Sequence, residues 1–315
     1  MEIRQLRYFV AVVDARSITR AAHQLHLVQS ALSHQIANLE QALNAPLLIR
    51  SRSGVVPTEA GLLLYRHAQA ALKNVEAARQ AILTVGNDIR GAVKIGIPNS
   101  TVPLLALPLL RAIRKQLPNV EISIYEGLSA IHADMLFDGK LDLAILFESI
   151  APRGMEISAI FSETMHFLTA DVDAVARYSK LDAIDLPEVA KWPLLLPPPP
   201  NGIRVILERE CFRANLRLQV VANLSGVQTI SNAVFAGLGS TVMMAANVDS
   251  PRRKSVLLLP IRKPAIERPA VIAQLADLPL TRAVSTVKAL IVTEVERLVT
   301  AARWPGASLP SRAVR

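Results

Sequence analysis

A single cysteine, Cys211, among 315 residues leaves no disulfide framework and no metal site built from several thiolates. A lone thiol of this kind reads as a small apolar core residue. The six histidines, His23, His26, His34, His67, His132 and His166, show no metal-ligand spacing beside a cysteine or carboxylate cluster. No phosphate-cradling glycine loop and no nucleophile-elbow sequence occurs, so the chain is expected not to be an enzyme and to need no cofactor or metal. The opening residues, MEIRQLRYF, lack the apolar centre of a secretory signal, and no apolar run reaches the length of a membrane span. The expected location is therefore the cytoplasm.

What is present is size, apolar content and positive charge. At 51% hydrophobic residues the chain is ample for at least two cores and too long for one ordinary domain. A formal net charge of +9 suits an anionic partner. Residues 1–90 carry ten arginines or lysines against six acids, a surplus of four. That is modest for a nucleic-acid binder, so geometry has to carry any such assignment.

The geometry comes from SITRAAHQLHLVQSALSHQIANLEQAL, Ser17 to Leu43, which reads as two short helices joined by a tight turn. Ser17 is a good N-cap, and Ala21, Ala22 and Leu25 form the apolar side of the first helix. In the second, Leu32, Ile36, Leu39 and Leu43 are spaced four, three and four, one buried stripe, which leaves Gln29, Ser30, Ser33, His34 and Ala37 on the opposite face. Small hydrogen-bonding groups suit entry into a major groove, where Gln pairs with adenine and Ser or His meets base edges or phosphates. Solvated helices also carry such residues, so this face alone is not decisive. NAPLLIRSRSGVVPTEAG follows, with Arg50, Arg52 and Gly54 in a compact turn between apolar flanks. It fits a two-stranded wing with arginines at its tip, placed to grip phosphate or enter a minor groove. The candidate DNA-contacting set is Ser17, Thr19, Gln29, Ser30, Ser33, His34, Arg50, Arg52 and Ser53.

These stretches resemble the LysR-type transcriptional regulators. The resemblance rests on LRYFVAVVDARSITRAA (Leu6 to Ala22), QSALSHQIANLE (Gln29 to Glu40) and PLLIRSRSGVVPTEAG (Pro46 to Gly61), in the family's order and spacing. Through LLIR, GVVPTEAG and LYRHA it is similar to the nitrogen-assimilation-control branch. Ser30 stands where the family usually has proline, and Leu48 and Ile49 replace a more typical Phe and Glu. Loss of a first-turn proline bears on sequence preference and leaves the helix intact. The resemblance implies an α-helical winged helix-turn-helix head, a long linker helix and an α/β two-lobed receiver like a periplasmic binding protein. It also implies a homodimer, a dimer of dimers, a small-molecule effector and a double-stranded DNA operator, and leaves RNA polymerase open as a further partner.

Beyond the head, Leu64, Ala68, Ala71, Val75, Ala78, Ile82 and Val85 alternate intervals of four and three, the seam of a coiled coil, whose simplest use is to pair two chains. Packing on the chain's own second domain is the alternative. After Gly91 the pattern changes: VKIGI, VEISIYEG and LDLAILF read as strands alternating with helical stretches, an α/β arrangement with a largely parallel sheet. The expected divisions are a head at 1–57, a linker at 58–91 and a receiver at 92–315, with lobe I at about 92–161 and 268–303, lobe II at about 162–267 and a tail at 304–315. Ligand groups should lie where strands end and helices begin. The candidates are Ser100, Thr101, Ser129, Asn201 and Ser225, with Phe147 as an apolar wall. Each polar one also fits as a simple helix cap, and Ser225 with Gln228 has capping-box spacing. Several helix N-termini converging there would favour a small anion held mainly by neutral donors, with Arg204 the nearby cation. PRRKS, Pro251 to Ser255, reads as a solvated basic loop. On residues alone, a solute-binding receptor with a helical head that does not bind DNA is the rival, and a catalytic α/β protein is a distant third.

Overall fold

The computed structural model describes residues 1–51, 54–83, 89–147, 154–248, 256–276 and 280–310. The head begins with a helix absent from the expectations above, α1 (Ile3–Ala15), which buries Leu6, Phe9 and Val12 at three-residue spacing. α2 (Ile18–Gln24) starts behind Ser17, whose hydroxyl accepts the Arg20 N–H at 3.3 Å. α3 (Gln29–Leu43) buries Leu32, Ile36 and Leu39 against Phe9, Val12 and Ala21. Leu43 departs from the expected stripe and is 38% exposed, because the chain leaves the helix at Asn44 in a left-handed turn. β1 (Leu48–Ser51) and β2 (Gly54–Pro57) pair antiparallel as the wing. Gly54 has φ +129°, and a Cβ there would stand 2.7 Å from the Arg16 carbonyl oxygen. That close approach seats the wing on the α1–α2 corner.

Thr58 starts α4 (Glu59–Leu83): its hydroxyl accepts the Gly61 N–H at 2.9 Å and donates to the Pro46 carbonyl at 2.7 Å. The first turns of α4 belong to the head. Tyr65 is buried and hydrogen-bonds the Asp14 carboxylate, and burial with that neighbour pushes the phenol well above its usual range. The expected seam is therefore split. Ala68 is buried within its own chain, Leu64 packs on the head core, and Val75 is 40% exposed. The Ile82 side chain and Val85 lie outside the described residues. On its other side α4 meets the receiver, where the Lys73 ammonium bonds Asp142 Oδ1 and the Leu141 carbonyl, both at 2.8 Å.

Lobe I is built from β3 (Gly91–Pro98), α5 (Val102–Gln116), β4 (Val120–Gly127), α6 (Ser129–Phe137) and β5 (Leu143–Phe147), with β3 between β4 and β5 and parallel to both. Helices connect these strands because a parallel pair cannot be joined by a tight turn. β6 (Met155–Thr169) then carries the chain into lobe II. There follow α7 (Val172–Tyr178), β7 (Ile184–Asp185), α8 (Leu186–Val189), β8 (Pro193–Leu196) and α9 (Gly202–Arg213). β9 (Gln219–Asn223), α10 (Val227–Phe235), β10 (Thr241–Met244) and β11 (Leu257–Arg262) complete that lobe. β12 (Glu267–Leu275) returns to lobe I, where α11 (Arg282–Thr300) packs against α5 and β13 (Ala307–Ser308) follows.

The central sheet is mixed rather than largely parallel. β6 pairs antiparallel with β12 through its first part and with β10 and β11 through its last, because the two strands that cross between lobes run in opposite directions. α7 and α8 were not among the expected helices, and α8, at four residues, is too short to show a period. The largest apolar clusters of the receiver among the described residues lie one around Ile95, Leu109, Ile145 and Val287 and the other around Phe167, Leu196, Leu207 and Val242. Within the segment counted above as a tail, residues 304–310 are described, and they are anchored, with Trp304 only 2% exposed and β13 paired to β6. Among the described residues no helix is long and apolar enough to cross a membrane.

Candidate functional site

The head presents one polar face. Gln29, Ser30, His34 and Ala37 are exposed on α3 and Ser33 is half-buried beside them. The periodicity of α3 decides this, since burying Leu32, Ile36 and Leu39 turns these residues outward. Arg50 on β1 donates to Ser33 Oγ at 3.0 Å, so the wing is tied to the reading helix and an exposed guanidinium stands beside its polar side chains. Thr19 is exposed at the start of α2, whereas the Ser17 hydroxyl is engaged as a cap. Arg52 and Ser53 lie outside the described residues, as does the 251–255 basic cluster.

The second candidate region is the cleft between the lobes. Ser100, Ser129, Phe147, Asn201 and Ser225 all line it, brought together from five separate turns and strand ends. Thr101 does not line it; the residue is fully buried behind the wall, with its Oγ1 unpartnered among the described residues. Asn201 caps α9 by accepting the Ile203 N–H at 3.0 Å. The Ser225 capping box is not formed: α10 begins one residue later than that spacing requires, Gly226 is its N-cap, and Gln228 donates instead to Asn232. Ser129 Oγ is buried at the first turn of α6 and has no partner among the described residues. The starts of α6, α9 and α10 thus converge on one space of about 50 Å³, a geometry that favours negative charge.

Arg268, on β12, is the cleft residue that sequence reasoning missed. It is 3% exposed, its guanidinium carbon lies 3.5 Å from the centre of the Phe147 ring, and Nη2 donates to Ser100 Oγ at 3.1 Å. The same nitrogen pairs with the buried Glu163 carboxylate, whose other oxygen accepts the Trp304 indole N–H at 3.0 Å. Burial lowers the Arg268 pKa from its ordinary value, and the Glu163 charge opposes that shift. The only sequence trace was a lone cation heading an apolar strand in ERPAVIAQL. Neutral donors are therefore not the whole of the site. Arg204, the cation expected nearby, is held by Glu208 at 2.6 Å and Asn223 at 3.4 Å and does not line the cleft. His132, on α6, is buried, and burial lowers its pKa, which keeps it neutral. Cys211 fits its assignment to the core: it is 2% exposed and burial pushes its thiol up to about 11, so it is not a reactive thiolate at neutral pH.

A winged helical head with an exposed reading face, joined by a long helix to a two-lobed receiver with a cleft lined by Arg268 and several serines, defines a DNA-reading sensor. Residues 3–62 match the family model of the bacterial regulatory helix-turn-helix proteins of the lysR family, and residues 86–296 match the LysR substrate binding domain. The chain belongs to the LysR family and is a DNA-binding transcriptional regulator with an effector-binding domain. It is 34% identical over 244 residues to the nitrogen assimilation regulatory protein nac of Klebsiella aerogenes, covering 77% of this chain and 78% of that one. It is 30% identical over 319 residues to the regulator CfxR of Cupriavidus necator, covering 100% and 98%. A full-length OxyR variant from Pseudomonas aeruginosa superposes with a TM-score of 0.76 at 23% identity, covering 94% of this chain and 97% of that one. Full-length CbnR complexed with its target DNA superposes with a TM-score of 0.61 at 19% identity, covering 94% and 99%.

Proposed function

We propose that this regulator acts in the cytoplasm as a dimer, and as a dimer of dimers. Each pair of heads reads a partly palindromic operator through α3 and the wing, while the interlobe cleft takes a small anionic metabolite. The observation that carries the ligand class is the buried Arg268 guanidinium facing a cleft on which three helix N-termini converge. Leu62, Leu63 and Val75 on α4 are exposed in the single chain, which supports pairing along that helix. Ligand binding acts by favouring one arrangement of the lobes, and through the linker alters DNA binding or bending.

Three measurements test this. Gln29→Ala should cost about 1–3 kcal/mol of discrimination at one base position, whereas Arg50→Ala should weaken binding to every duplex and flatten the salt dependence by about one unit. Unchanged affinity and specificity in both variants would rule out the docking. Ala71→Asp together with Val75→Asp would place unpaired charge in the pairing seam, so sedimentation should then find monomers; an intact dimer removes α4 as the pairing element. Thermal unfolding of the full chain with acetate, succinate, sulfate and phosphate should reveal stabilisation by at least one anion. Ser129→Ala should weaken that binding by about 1–3 kcal/mol. The absence of any stabilising anion refutes the ligand class.

A further inference from the structure

We infer that the C-terminal segment after α11 is a working part of the effector site: Trp304, acting through Glu163, sets how freely Arg268 engages a ligand in the cleft. The inference rests on the reading of the cleft as an anion site. The segment is clasped to β6 at the point where that strand passes between the lobes. Ala307 and Ser308 pair with Glu163 and Ser162, and the Thr164 N–H donates to the Gly306 carbonyl at 2.8 Å. Trp304 is buried by packing on Phe161, with ring centres 4.5 Å apart.

The indole does more than fill space. Its N–H takes Glu163 Oε1 at 3.0 Å, while Oε2 takes Arg268, so a single carboxylate is shared between the terminal segment and the cation of the cleft. Arg268 Nε has no partner among the described residues, and the side chain lines the cleft beside Ser100. The Ser100 carbonyl accepts from Asn247 of lobe II at 2.9 Å, so the cluster also joins the two lobes. A ligand anion and Glu163 are therefore rivals for one guanidinium. Removing the indole N–H leaves Arg268 as the main partner of Glu163 and strengthens the rival. Neutralising Glu163 removes it. Trp304 and Glu163 are positioning residues, and their variants should move anion affinity in opposite directions, which loss of packing alone would not do.

The test follows thermal stabilisation of the full chain by acetate and by acetamide, its neutral isostere. Trp304→Phe keeps a stacked ring and should bind acetate about three- to tenfold more weakly, while Glu163→Gln should bind it about tenfold more tightly. Acetamide binding should change in neither. If Glu163→Gln fails to fold, Trp304→Phe decides alone: unchanged acetate affinity, or equal loss for acetate and acetamide, overturns the inference. In a Trp192→Phe background Trp304 is the remaining tryptophan, and its emission should shift with acetate. Anion binding with both variants shifted in the same direction overturns this inference and leaves the anion site standing. Failure of acetate, succinate and sulfate to stabilise the unaltered chain overturns both.

Discussion

Replacing Arg268 by Met should destabilise the receiver by about 3–5 kcal/mol, since removing one partner of a buried ion pair leaves the other charge uncompensated. The stranded group is Glu163, 1% exposed and left with the Trp304 N–H in place of a full counter-charge. The double variant Arg268→Met with Glu163→Gln should recover most of the loss, because no buried ion then remains. Denaturant unfolding of the full chain followed by tryptophan fluorescence measures both. A single variant within about 1 kcal/mol of the parent, or a double variant less stable than the single, would show that the pair does not hold the crossing strands.

The second large effect is expected at the joint between head and linker. A Cβ on Gly61 would lie 2.0 Å from the Leu47 carbonyl oxygen, and this is backbone that cannot swing aside. The Leu47 carbonyl also accepts the Thr58 N–H at 2.9 Å, so any shift costs that bond as well. Gly61→Ala should therefore cost about 3 kcal/mol by overpacking and misplace the wing relative to α4. Affinity for specific and random duplex should both fall, while anion binding in the receiver stays intact. A Gly61→Ala chain with unaltered DNA binding and melting would mean that the joint adapts freely.

How much of the molecule could be read without its structure depended on how local the determining interactions are. The reading head was open to inspection because helix periodicity and capping are set within a turn or two. Burying Leu32, Ile36 and Leu39 is enough to turn Gln29 and His34 outward, and Ser17 needs only Arg20 to become a cap. α1 escaped notice as a helix although its apolar spacing was present, while α8 was too short to show any period. The cleft residues at strand-to-helix turns were open for a similar reason, since such turns announce themselves by Ser, Thr or Asn before an apolar run. The same rule could not separate Ser100, which faces the cleft, from Thr101, which is sealed behind it.

By itself, then, the sequence determined a helical reading face, a wing, a long helix and a receiver of alternating strands and helices, all properties of contiguous residues. Only the tertiary structure decided that a buried cation lines the interlobe cleft and that the segment after α11 is anchored beside it. Arg268 meets Ser100 across 168 positions, and Trp304 meets Glu163 across 141. No local pattern encodes those meetings. Arg268 faces Glu163 because β6 and β12 pair antiparallel in that register, Trp304 reaches the same carboxylate because the segment after α11 pairs with β6, and a buried guanidinium is stable only where a carboxylate is set against it.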